Sequence, residues 1–258
     1  MPPALVGSHN VHATNGAAHN FGGDLNPSAG NLLIVGAIGS RDFLQAIWVA
    51  AGFTSAGDEY PASPSIPASF LYAVSAGSDA PNLTVGSGSP GDADSYCAEV
   101  SGATPSGDVG SESNDGDVGV NFVTSPAFVT AAEAIALVLF NFAGDSGQPT
   151  SLDAAPSGCT RLDSGFATAE YGNWYAYDLL YVPAAQAVAE YKANAPAAPN
   201  SDSGSRVGWV ELGAGTPPPV AGVTESFEFR SRRVTFKGLP YEVTAEMLAQ
   251  DHERNLHG

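Results

Sequence analysis

Four short segments recur in the same order in both halves of the chain, and that recurrence limits the fold more than any other feature. Residues 27–38 (PSAGNLLIVGAI) are matched by residues 130–142 (TAAEAIALVLFNF), each a small-residue turn followed by an apolar run of strand length. Gly52-Phe53-Thr54 is matched by Gly158-Cys159-Thr160, and Phe70-Leu71-Tyr72-Ala73 by Asn173-Trp174-Tyr175-Ala176. These three pairs have offsets of 103, 106 and 103 residues. Each half then closes on a short strand and a glycine turn, Cys97 to Gly102 and Gly208 to Gly213. The spacing predicts two copies of one β unit, over about residues 8–103 and 118–215.

Each unit offers four to five strands, too few to bury two separate cores. Two units closing one sandwich bury both apolar faces. The expected fold is all-β, a jelly-roll-like β-sandwich built from two pseudo-repeats over residues 1–215, with a C-terminal strand-helix arm. The 30 Gly and 19 Pro, spread between short apolar runs, supply the turns. Residues 101–121 (SGATPSGDVGSESNDGDVGVN) are acidic and low in complexity, and read as a connector. Residues 131–142 suit a helix on propensity alone, but the repeat places a strand from Ala134 onward.

Charge is lopsided. The chain carries 27 Asp plus Glu against 9 Lys plus Arg, a net charge of −18. Nearly all of that excess precedes residue 216. A field of this sign repels nucleic acid and anionic membranes, and keeps a crowded assembly soluble. No 18-residue apolar stretch occurs, so no membrane insertion is expected. The start, MPPALVGSHN, lacks the basic and apolar regions of a secretory signal. Cys97 and Cys159 are too few for a disulfide scaffold or a zinc site, and read as free, buried thiols.

The residue patterns supply little chemistry. His9, His12 and His19 are close in sequence, but on a strand His9 and His12 point to opposite faces, so no metal is expected. Asp92, Asp94, Glu112, Asp115 and Asp117 lie in Gly- and Ser-rich stretches that match no calcium-loop pattern, and read as solvated charge. Asp58-Glu59 and Glu170 sit beside tyrosines without defining a glycosidase pair. No Gly-x-Ser-x-Gly, P-loop or dinucleotide fingerprint is present. The chain is expected not to be an enzyme and to take no cofactor. In residues 173–181 (NWYAYDLLY), Tyr175, Tyr177, Leu179 and Tyr181 share one face, and Trp174, Ala176, Asp178 and Leu180 the other. Both faces are largely apolar, as in a central strand. Trp174 and Tyr177 are the candidates for stacking on a cell-surface glycan.

After the Pro-rich linker at 216–219, the segment FEFRSRRVTF alternates like a strand and holds the basic cluster of the chain. Residues 243–256 suit a short helix, with Thr244 as its N-cap. Residues 216–258 read either as an edge strand and peripheral helix folded back on the sandwich or, as a near-neutral segment after a Pro linker suits better, as a docking arm whose contact residues are Phe227, Phe229, Arg230, Arg232, Arg233, Met247 and Leu248.

The order AGNLLIV, GFTS, FLYAV, NLTV, YCAEVSGA resembles the GNLL-type β-sandwich modules of bacteriophage virion proteins. The second half repeats that order more weakly, and the resemblance covers about residues 10–215. The chain departs from the pattern at Phe53 and Cys159, where such modules often carry Trp. The resemblance implies a non-enzymatic structural virion protein of a tailed phage, made in the host cytoplasm and present in several copies among other virion proteins. A minor tail or tail-tip component acting in assembly and host-surface attachment is the first expectation. A head decoration protein and a lectin-like carbohydrate-binding module are the alternatives.

Overall fold

The computed structural model describes residues 2–13, 18–20, 25–39, 52–59, 68–77, 84–86, 93–115, 119–142, 147–168, 174–198 and 203–213. All belong to the first of two units, which divide between Pro218 and Pro219. The regular elements among these residues are strands. Ten of them form two five-stranded antiparallel sheets. The first sheet has the order β1 (Ala4–Ala13), β7 (Ala93–Ser101), β3 (Leu32–Gly39), β5 (Ala68–Val74), β4 (Thr54–Glu59). The second has the order β8 (Pro105–Asp115), β17 (Gly204–Leu212), β11 (Ala134–Phe142), β14 (Trp174–Val182), β13 (Thr160–Thr168). With strands counted along the chain, each sheet runs first, fifth, second, fourth, third.

The small elements are β2 (Ala18–Asn20) with β6 (Thr84–Gly86), β10 (Phe128–Thr130) with β15 (Gln186–Val188), and β12 (Ser151–Leu152) and β9 (Phe122–Thr124) flanking β16 (Lys192–Asn194). Among the described residues no helix is long and apolar enough to cross a membrane.

The two large sheets bury their inner faces against each other. Leu32, Ile34, Phe70, Tyr72, Tyr96 and Val100 meet Ile135, Leu137, Leu139, Leu179, Tyr181 and Val210 in one cluster. A fully buried side chain of this size contributes about 1.5–3 kcal/mol, so this layer supplies most of the drive to close the sandwich. The sheets approach tightly where the central strands cross. A Cβ on Gly36 would lie 2.6 Å from Leu137 Cδ2 and 3.0 Å from Leu139 Cδ1. All nine residues of β11 are buried, because its outward face is covered as well. Ala136, Val138, Phe140 and Phe142 point outward against Val123, Phe128, Val188, Tyr191 and Ala193 of the small strands and their flanks. That double burial explains why a run with good helix propensity is a strand here. On the first sheet, Leu33, Val35, Leu71 and Cys97 point outward against Leu25 and Phe53.

Every edge pairing carries a register shift: Leu5/Gly7 in β1, Ser55/Gly57 in β4, Arg161/Asp163 in β13, and Val210/Leu212 in the β17–β8 pair. The four interior pairings run without one. In β4 and β13 the extra residue falls at the same place. Ala56 is buried in the inter-sheet core and Leu162 packs against it. Such bulges bend an edge strand and spoil it as a template for further strand addition.

Three expectations are corrected. Residues 105–115 are not a connector but the edge strand β8, paired to β17 from Pro105 to Asp115. Its Gly- and Ser-rich sequence hides it, because an edge strand gains its order from its one neighbour. Gly110, for example, lies under the Trp209 indole, where a Cβ would fall 2.2 Å from Cζ2. The second set of strands therefore starts at Pro105, ahead of the expected 118. Cys97 is buried, whereas Cys159 sits half-buried in the turn before β13. Residues 40–51 and the whole of 214–258, including Phe227, Phe229, Arg230, Arg232, Arg233, Met247, Leu248 and the expected helix at 243–256, lie outside the described residues.

Candidate functional site

Three groups of described polar side chains tie strands and turns of the sandwich to one another. The first is the seam where edge strand β1 meets edge strand β13. The Arg161/Asp163 bulge turns Asp163 toward the first sheet. Its Oδ2 accepts hydrogen bonds from Ser8 Oγ at 2.5 Å and Tyr96 Oη at 2.8 Å, and its Oδ1 accepts one from Ser164 N at 2.9 Å. The Tyr96 ring stacks on Tyr177 with centroids 4.2 Å apart. Burial, and then the Asp163 charge, push the Tyr96 phenol far above its ordinary range. The same two causes raise Tyr177.

Tyr177 thus packs against the inter-sheet core, while Trp174 packs on the outer face of the second sheet. The two candidate glycan contacts stand on opposite faces of β14 and do not share a surface.

The second place is a buried ion pair on that outer face. Asp178 of β14 is fully buried. Arg161 of β13 meets it side-on, Nε to Oδ1 at 2.8 Å and Nη2 to Oδ2 at 2.7 Å. Nη2 also donates to the Asp153 carbonyl at 2.8 Å. The Asp153 carboxylate accepts from Lys192 N at 3.1 Å and Asn194 Nδ2 at 3.4 Å. The pair therefore links β13 and β14 to the small sheet of β12 and β16. Burial raises the Asp178 pKa despite the opposing pull of Arg161, because the carboxylate is wholly enclosed while the guanidinium keeps partial contact with solvent. Asp178 in turn raises Arg161, chiefly through its hydrogen bonds. The Tyr191 hydroxyl is buried beside this carboxylate without a hydrogen bond of ordinary geometry. Burial first, then Asp178, hold it protonated. Cys159 is raised by the same two causes.

The third place is the pair of turns that open the central strands. Glu99 on β7 points outward and is 2% exposed. Its Oε1 accepts from Ser28 N at 2.8 Å and Asn31 Nδ2 at 2.6 Å, fixing the turn before β3. Gly30 completes that turn at φ 83°, a conformation that suits glycine. Glu211 on β17 is likewise outward and buried, and its Oε1 accepts from Ala131 N at 2.7 Å, before β11. In each sheet the last strand holds the entry to the second.

The ion pair and both glutamate caps escape the sequence patterns considered above. A signal for the ion pair was present. Asp178 interrupts an apolar strand, and a charge at such a position requires a partner. Arg161 is one of only four basic residues before residue 216.

Among the described residues no group of three or more His, Cys, Asp and Glu is placed to hold a metal ion. Glu112 is exposed on β8, whereas Asp92, Asp117 and Glu170 lie outside the described residues. Burial, with Glu99 second, pushes the Cys97 thiol far up, which removes its nucleophilic form at neutral pH. Within these clusters the hydrogen bonds tie strands and turns to one another, and burial shifts Tyr96, Tyr177, Tyr191, Cys97 and Cys159 toward their neutral forms. Comparison with known protein families, with characterised proteins and with solved structures returns no match.

Proposed function

We propose that this chain is a non-enzymatic structural virion protein of a tailed bacteriophage, a minor tail or tail-tip component that acts in assembly and host-surface attachment. The observation that carries the reading is the structural place of the residues behind the resemblance. Gly30 and Asn31 form the turn that Glu99 caps. Leu32 and Leu33 fill opposite faces of β3. Phe53 seals the outer face, and Tyr96 stands at the seam. These residues build the core strand, its entry turn and its seam, a packing role that supports the reading.

Two further arguments support two copies of that module closed on each other. Each large sheet draws its strands from one half of the chain, in the same spatial order. The contacts of Ser8 with Asp163 and of Tyr96 with Tyr177 set β3 and β11 facing each other in the same direction. A two-fold rotation along the strands then exchanges the sheets. Residues 216–258 are the element by which copies join other virion proteins.

Localisation tests the function. Purified particles are examined by mass spectrometry and by electron microscopy with a label on the C terminus. Density at the tail tip is the expected result. Density on the head surface replaces the tail assignment with capsid decoration. Absence from particles overturns the virion reading and leaves the lectin-like module, for which glycan-array binding lost on Trp174→Ala is the deciding measurement.

A further inference from the structure

We draw no further inference here: the strongest candidate, the scatter of exposed valines Val6, Val74, Val109 and Val129 near the end of the sandwich where β3 and β11 begin, carries nothing, because nothing in the structure shows what covers it.

Discussion

The two large sheets share a strand order and a bulge position, yet they are finished differently on the outside. On the first, the described outer face holds Leu33, Val35, Leu71 and Cys97 under Leu25 and Phe53, with Glu99 capping the entry turn of β3. On the second, small strands cover the apolar face and enclose the Arg161–Asp178 pair. The inner faces need only volume and shape, because apolar burial has no direction. A layer of strands two or three residues long has little area to fix its position. A bidentate ion pair has direction, and it pins that layer in one register. The desolvation of Asp178 is the cost of that specificity.

The sharpest way to break the comparison is to remove half of the pair. Asp178→Ala or Arg161→Ala leaves a buried or half-buried charge without its partner, and a loss of about 3–5 kcal/mol in chemical denaturation is expected for such a site. The double variant Arg161→Met/Asp178→Leu is expected to unfold within about 1 kcal/mol of the native chain. It should also show faster hydrogen exchange in β12 and β16. A double variant as unstable as either single one would refute the assignment of the pair to specificity.

The pH dependence of the same pair has a definite sign. The folded pKa of Asp178 is raised, so the folded state binds this proton more readily than the unfolded one. Its contribution is fully present below the unfolded value of about 3.9 and is lost as pH rises through the folded value. The stability of the native chain relative to Asp178→Asn should therefore be greatest near pH 4 and shrink toward neutrality. Urea melts at both pH values check it, and the opposite slope would mean that the pairing outweighs the burial.

The glutamate caps sharpen the likeness between the sheets. Glu99→Ala and Glu211→Ala should each cost about 1–3 kcal/mol, the penalty for orphaned buried donors. Glu99→Ala should cost more, since that carboxylate serves both Ser28 and Asn31. Amide exchange at Ser28 and at Ala131 should rise only in the matching variant. At the crossing of the central strands, Gly36→Ala should cost about 1–3 kcal/mol by overpacking, because Leu137 must move. The smallest effect belongs to the seam. Ser8→Ala removes one of two side-chain donors to Asp163 and should cost about 1 kcal/mol, read as an earlier thermal midpoint.

Much of this architecture was legible in the residues. The runs at 32–35 and 134–142 are apolar on both faces because both faces are covered. The alternation through 174–181 correctly divides Tyr175, Tyr177, Leu179 and Tyr181 from Trp174, Ala176, Asp178 and Leu180. The alignment of the halves slips by one residue at its last segment. Cys97 was matched with Gly208, yet Cys97 pairs with Val35 and its structural counterpart Val207 pairs with Val138. A shift of one residue exchanges the two faces of a strand, and glycine-rich strands leave too little pattern to prevent that slip. The strands β9, β12, β15 and β16 are too short for any period to show.

What the sequence determined by itself is the class of the fold: apolar runs of strand length, glycine and proline between them, and one order used twice. These are local properties, set by side-chain volume and backbone freedom within a few residues. What only the tertiary structure decided is β8 as an edge strand, the sealing of Asp163 by Ser8 and Tyr96, and the meeting of Arg161 with Asp178. Each depends on a partner from 17 to 155 residues away. No local pattern encodes such a partner, because it is chosen by how two sheets close on each other.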